Sequence, residues 1–362
     1  MVVATIKIDL GEKSYPIIVG FNLLDKLGEE LRRQLPGVEK ALVISDRIVA
    51  SLWGEQCLLA LRDAGFHPKL ASIPPGEKSK KLSVAEELYG HALDADLDRR
   101  SPIIALGGGV VGDLAGFVAA TFLRGVPFVQ VPTTLLAQVD SSVGGKVAVN
   151  HQRGKNLIGS FYQPSLVLVD LDLLQTLDER QFKAGLVEVV KAAAVWDKAF
   201  FLWLNENFFN LLKRESKTIH EAVFRAITIK TEIVSRDEHE KNLRRILNFG
   251  HTFGHALEAV TEYDYYLHGE AVLVGMKMAT TAAWKMGFLS KNEYEQLQGL
   301  FASFGCYPLP NEVAPQKIIE ALNYDKKREG ERIIFILPQS IGKVLASSLP
   351  EEIIEAVLHS YI

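Results

Sequence analysis

The run Pro102-Ile103-Ile104-Ala105-Leu106 passes directly into Gly107-Gly108-Gly109-Val110-Val111-Gly112-Asp113-Leu114-Ala115-Gly116 and then an apolar stretch ending at Leu123. A short apolar run, a glycine cluster and a longer apolar run predict a buried strand, a tight turn and a helix. Such a unit is accommodated by a parallel sheet with helices laid over it. Glycines at the turn permit close backbone approach, and the helix N-terminus offers its unpaired N–H groups to a diphosphate. The glycines do not follow the regular Gly-x-Gly-x-x-Gly spacing, and a purely structural tight turn would use the same residues.

The surrounding sequence keeps the same rhythm. Thr5 to Leu10 and Tyr15 to Val19 are short extended runs; Ala41 to Asp46 and Pro127 to Val131 are further buried strands, separated by helical segments such as Ser83 to Leu97. From about Asp172 the pattern changes to long helical periodicities, for example Glu221 to Arg236 and Gly269 to Met286. A chain of 362 residues exceeds the size at which one core usually stops growing. Two closely packed domains are expected, residues 1–171 and 172–362, with a cleft between them for a ligand.

The second half concentrates imidazoles. His251 and His255 stand four apart in Leu247-Asn248-Phe249-Gly250-His251-Thr252-Phe253-Gly254-His255, and His268 follows in His268-Gly269-Glu270, in the loop expected after that helix. Spacing of four puts two side chains on one helix face, within reach of one metal ion. The general-base Glu of metalloproteases is absent between them, so this is not a metalloprotease signature. A catalytic divalent site needs a further ligand, and the best upstream carboxylate is Glu188, set in the apolar run Ala184 to Val195 with Lys191 one turn on. An internal Glu188–Lys191 ion pair would account for the same two charges.

Other constellations point to an anionic ligand. Lys146, Lys155 and Asn156 flank a glycine-punctuated hairpin, which suits a phosphorylated ligand but would equally serve as a solvated basic loop. Asp46 ends a predicted strand, where an acidic side chain can accept from ribose hydroxyls or cap a helix. A formal charge of −4 provides no global basic field, which argues against nucleic acid or an anionic membrane as partner. The cysteines Cys57 and Cys306 form no Cys-x-x-Cys pattern and are expected to be packed thiols in a reducing compartment. No apolar run approaches about 18 residues and residues 1–9 lack a secretion-signal layout, so a soluble cytoplasmic protein is expected.

With Pro75-Gly76-Glu77-Lys78-Ser79-Lys80, Pro132-Thr133-Thr134-Leu135-Leu136-Ala137, Asp140 to Asn156, Gly185 to Lys191 and Arg244 to His255, these motifs make the chain resemble the 3-dehydroquinate synthase family of sugar phosphate cyclases over essentially its full length. The resemblance implies an α/β N-terminal Rossmann-like NAD domain and an all-α C-terminal metal-binding domain. It assigns zinc to Glu188, His251 and His268, with cobalt or another divalent ion also accommodated by such ligands, and turns His255 to the substrate; spacing alone points instead to His251 with His255. For NAD it implies Asp46, Glu77, Lys80, Gly108, Gly109, Val110, Asp113, Thr133, Thr134, Asp140 and Ser141. Substrate contacts fall on Asp140, Lys146, Lys155, Asn156, Lys191, Lys230, Arg244, Asn248 and His255, with a late lysine at Lys326 or Lys327 and Arg124 lent across a homodimer interface. Among these, Lys191, Asp140, His255 and Asn248 are implied to take part in catalysis.

The implied reaction converts 3-deoxy-D-arabino-heptulosonate 7-phosphate to 3-dehydroquinate and phosphate, in the shikimate pathway, with NAD reduced and reoxidised in each turnover. Three other readings stay open. A 2-deoxy-scyllo-inosose synthase type of cyclase would act on a sugar phosphate without the carboxylate that Arg244 and Asn248 favour. A metal-dependent polyol dehydrogenase would have no phosphate for the lysine-rich hairpin, and a non-catalytic nucleotide-binding scaffold would not need the Glu188, His251 and His268 set.

Overall fold

A computed structural model describes residues 3–310, 313–329 and 333–361, without the side chains of residues 324–329. The chain forms two compact units, one of residues 1–178 and 230–239, the other of residues 179–229 and 240–362. The helix Ser216–Arg236 therefore starts in the second unit and ends in the first.

In the first unit the described strands are Ala4–Ile8 (β1), Tyr15–Gly20 (β2), Lys40–Asp46 (β3), His67–Ile73 (β4), Ile103–Gly107 (β5), Phe128–Pro132 (β6), Lys146–His151 (β7), Gly154–Phe161 (β8) and Leu166–Asp170 (β9). Seven of them form one sheet in the order β1-β2-β9-β6-β5-β3-β4, parallel throughout except for the β1–β2 pair. Strands β7 and β8 form a separate antiparallel hairpin. Leu42, Ile44, Ile103 and Ala105 join one core cluster, with the helices Leu82–Asp94 and Gly109–Thr121. Their neighbours Ala41, Val43, Ile104 and Leu106 join another, with the helices Leu27–Gln34 and Glu55–Asp63. Side chains alternate across a strand, so a sheet covered on both faces needs an unbroken apolar run, as these strands have.

The second unit is built on helices, among them Glu179–Trp196, His251–Val260 and His268–Lys285. Among the described residues the all-helical expectation gains one exception, an antiparallel pair of Phe335–Ser340 with Lys343–Ser347. Residues 184–195 of Glu179–Trp196 are buried around the whole circumference, as an apolar helix must be. The helix His268–Lys285 comes close to each of the other two at glycines. A Cβ on Gly269 would lie 2.1 Å from the Ala184 carbonyl oxygen, and one on Gly275 would lie 2.0 Å from that of Gly250. Gly250 itself has φ +82° and opens the helix His251–Val260.

Replacing Gly275 with Ala is expected to destabilise the second unit by about 1–3 kcal/mol or more, because backbone has to move. Gly299, inside Lys291–Ala302, has nothing beyond its own helix backbone and chain neighbours within 4 Å of where a Cβ would stand. Gly299→Ala should stabilise by about 0.5–1 kcal/mol. Urea unfolding of both variants checks the pair; equal effects would contradict the close-contact argument.

Candidate functional site

In the second unit, Glu188 and Lys191 sit one turn apart on Glu179–Trp196, exposed by only 3% and 2%, and they form the ion pair. Apart from the Lys191 contact at Oε2, neither Glu188 oxygen has a hydrogen-bond partner, which leaves a buried carboxylate short of partners. Gly250 leads into His251, whose Nδ1 lies 3.4 Å from the Phe249 carbonyl oxygen. His268 opens the next helix, so it is a helix residue, not a loop one. Its Nδ1 lies 3.4 Å from Glu258 Oε2 and its Nε2 4.0 Å from Glu188 Oε1.

One ligand atom from each of Glu188, His251 and His268 falls within a set no wider than 4.8 Å, and His255, Glu258 and His268 make a second set within the same limit. His255 is the exposed member of that second set, and its ring stands edge-on to His251, with centroids 5.3 Å apart. Two nitrogens and an oxygen suit zinc or cobalt. The first set fits a cation better, because it contains the carboxylate oxygens that lack hydrogen bonds. Burial disfavours charge on His268, but its hydrogen bond and attraction to Glu258, with the charge of Glu188, outweigh this and raise its pKa. A metal ion would take the place of that proton.

The third residue of His268-Gly269-Glu270 holds the ligand helix in place. Glu270 accepts the Leu267 N–H at 2.8 Å and receives Arg180 through Nε at 2.6 Å and Nη2 at 2.7 Å, a two-point contact. Arg244, 3% exposed, lies on the turn Leu243–Asn248, and Asn248 Nδ2 donates to Glu240 Oε1 at 2.6 Å.

In the first unit, β4 and β5 lie on opposite sides of β3, so the strand order reverses between β3 and β5. Ligands of doubly wound sheets bind beyond the carboxyl ends of strands at such a reversal. Asp46 ends β3, the glycine turn ends β5, and Thr133 and Thr134 follow β6 next door. Asp46 Oδ1 caps a helical turn, accepting from Ile48 N–H at 2.9 Å and Val49 N–H at 3.0 Å. A Cβ on Gly108 would lie 3.0 Å from Thr134, and one on Gly109 3.1 Å from the Ser141 hydroxyl. No side chain caps the helix Gly109–Thr121, which carries Val110 in its first turn. The Thr133 hydroxyl is buried without a hydrogen bond.

Around this turn the buried Lys80 donates to both Asp113 and Asn156. Burial raises the Asp113 pKa, and the Lys80 charge opposes it. Asn150 Nδ2 donates to Glu77 Oε1 at 2.6 Å, and its Oδ1 accepts the Asn156 N–H at 2.9 Å. Lys230, on the helix Ser216–Arg236, donates to the carboxylate and the carbonyl oxygen of Asp140. Lys146 is exposed on β7 and Lys155 half-buried on β8. Arg124 is exposed in a tight turn with Leu123, Arg124 and Gly125 all at positive φ. The side chains of Lys326 and Lys327 lie outside the described residues. Cys57 is buried, its thiol pushed up to about 12, whereas Cys306 is exposed and corrects the expectation of two packed thiols.

The 3-dehydroquinate synthase N-terminal family model matches residues 70–184, and the C-terminal one residues 185–328. The chain belongs to the 3-dehydroquinate synthase family. It is 50% identical to the 3-dehydroquinate synthase of Desulforamulus reducens, over 94% of this chain and 95% of that one. It is 45% identical to that of Thermoanaerobacter sp. strain X514, over 98% and 99%. Among solved structures, a 2-deoxy-scyllo-inosose synthase complexed with carbaglucose-6-phosphate, NAD+ and Co2+ superposes with TM-score 0.91 at 27% identity, covering 99% of this chain and 100% of that one. A Streptomyces hygroscopicus 2-epi-5-epi-valiolone synthase with NAD+ and Zn2+ bound gives 0.88 at 29%, covering 98% of each chain. A probable glycerol dehydrogenase of Sinorhizobium meliloti, 17% identical with TM-score 0.65 over 94% of each chain, shares the fold.

Sequence reasoning passed over Glu258 and Arg180, which lie just outside the family's motifs. Glu258 was visible as the residue three beyond His255 and seven beyond His251, on the same helix face. Glu188→Gln and His251→Ala are each expected to weaken zinc binding by more than about 100-fold, the upper loss known for outer-shell partners alone, with folding retained. Competition with a chromophoric chelator, alongside circular dichroism, measures both; wild-type affinity in either variant would remove that residue from the ligand set.

Proposed function

We propose that this chain is a 3-dehydroquinate synthase, converting 3-deoxy-D-arabino-heptulosonate 7-phosphate to 3-dehydroquinate and phosphate. The observation that carries the reading is the 50% identity to a family member over 94% of the chain, coupled to a buried Glu188 that has no hydrogen bond beyond its ion pair with Lys191 and stands beside His251 and His268. Bound by Glu188, His251 and His268, zinc or cobalt would polarise substrate hydroxyls, while NAD+ at the glycine turn would accept and return hydride.

The remaining work is positioning and charge placement by the protein's own groups. Lys191 holds the Glu188 carboxylate by ion pairing and presents a buried cation near the ligand set. Arg244 is assigned to the substrate carboxylate, with Asn248, held by Glu240, and His255 as further polar contacts. In the first unit, Lys146, Lys155 and Asn156 are assigned to phosphate, and Lys230 orients Asp140. For the nucleotide we assign Asp46, Glu77, Lys80, Gly108, Gly109, Val110, Asp113, Thr133, Thr134, Asp140 and Ser141. The helix N-terminus and the unpartnered Thr133 hydroxyl support that assignment.

The substrate is a small phosphorylated sugar acid. We further assign a cytoplasmic homodimer in which Arg124 is offered to the partner; among the described residues no helix is long and apolar enough to cross a membrane. Sedimentation of the full chain, compared with Arg124→Ala, tests the dimer and separates association from activity.

Phosphate release with catalytic NAD+, followed together with NADH absorbance and repeated after chelation, tests the reaction. Metal-dependent release without accumulating NADH is expected. NADH building up on a polyol, with no phosphate released, would assign the chain to the dehydrogenases. Turnover of a hexose 6-phosphate that lacks the carboxylate would instead favour the inosose synthase type. Arg244→Leu should lower kcat/KM by about 10- to 150-fold, the worth of one charge-assisted contact; an unchanged value would take the carboxylate away from Arg244.

A further inference from the structure

Glu258 is a buried carboxylate, 4% exposed, in a part of the second unit already supplied with acid by Glu188. It shares one helix face with His251 and His255 and reaches across to the start of the next helix, where its Oε2 meets His268 Nδ1 at 3.4 Å. His268 Nε2, the opposite nitrogen of the same ring, faces Glu188. The two compact sets that share His268 therefore approach it from different sides. An imidazole that ligates through one nitrogen is held by what the other nitrogen donates to. His251 is held in the corresponding way by the Phe249 carbonyl oxygen.

We propose that Glu258 is a positioning residue for the metal centre: its carboxylate accepts the Nδ1–H of His268, fixes that tautomer and turns Nε2 toward Glu188 and His251. The proposal rests on the ligand set given under Proposed function. Charge accounts for the use of a glutamate where a carbonyl would serve geometrically. With His268 neutral, as a metal ligand must be, Glu188 and Glu258 carry two negative charges against the one positive charge of Lys191, and a divalent cation offsets them. Glu258 thereby raises the affinity of the set for a dication without occupying a coordination position, leaving that position for substrate.

The test uses purified full-length protein, stripped of metal and titrated with Co2+ and Zn2+ in competition with a chelator, with no substrate present. Glu258→Gln, close to the native shape, should weaken both ions about 10- to 100-fold, and Glu258→Leu should weaken them further. The Co2+ absorption bands should shift while keeping the intensity of the native coordination number, and circular dichroism of the stripped variants should match the parent. Wild-type affinity and an unchanged cobalt spectrum in Glu258→Gln would overturn the proposal. So would a loss as complete as that of His268→Ala with a spectrum lacking one ligand, since Glu258 would then be a ligand itself. If His251→Ala bound cobalt like the parent, the ligand set would fall, and that result is separate from anything Glu258 variants do.

Discussion

The helix His268–Lys285 of the second unit meets Glu179–Trp196 and the start of His251–Val260 where no side chain intervenes. Gly269 lies against the backbone of Ala184, and Gly275 lies against Gly250, at distances a Cβ would not tolerate. Glu188 stands one turn beyond Ala184, His251 directly after Gly250, and His268 directly before Gly269. Gly250 and Gly269 are thus adjacent in sequence to candidate ligands, and the close helix contacts bring a carboxylate and two imidazoles from three segments to within 4.8 Å. Packing at this spot and the chemistry of the site are one constraint.

The same unit places charge where water is scarce. Burying a carboxylate and an ammonium as a pair gives little net stability, because desolvation offsets their attraction. Glu188 and Lys191 are therefore poorly explained as a stabilising feature, and the hydrogen bonds missing at Glu188 point to a function. In the first unit Lys80 is similarly buried between Asp113 and Asn156, beside the turn where the strand order reverses. Both units hold a buried lysine paired with a carboxylate at the position where an ionic ligand would be recruited, in keeping with a reaction that starts from a highly charged substrate.

Much of this was legible in the sequence. Unbroken apolar runs at Ala41–Ile44 and Ile103–Leu106 marked strands covered on both faces, and the run of glycines after Leu106 marked the turn into a helix. Other features depend on tertiary placement. Spacing could pair His251 only with His255, because the helix carrying Glu188 lies far away in sequence and its approach depends on Gly269. The grouping of Lys230 with the first unit was hidden because Ser216–Arg236 is one continuous helix whose periodicity does not change where it leaves the second unit. The hairpin after residue 334 was overlooked within a helical half, although Gly342 at φ +85° marks its turn.

The central claim is the identity of the ligands, and anomalous scattering from crystals grown with cobalt tests it most directly. The account predicts one peak about 2.0–2.2 Å from a Glu188 carboxylate oxygen and from a ring nitrogen each of His251 and His268, with Glu258 outside bonding distance. A peak enclosed by His255, Glu258 and His268, with Glu188 still bound only to Lys191, would contradict it.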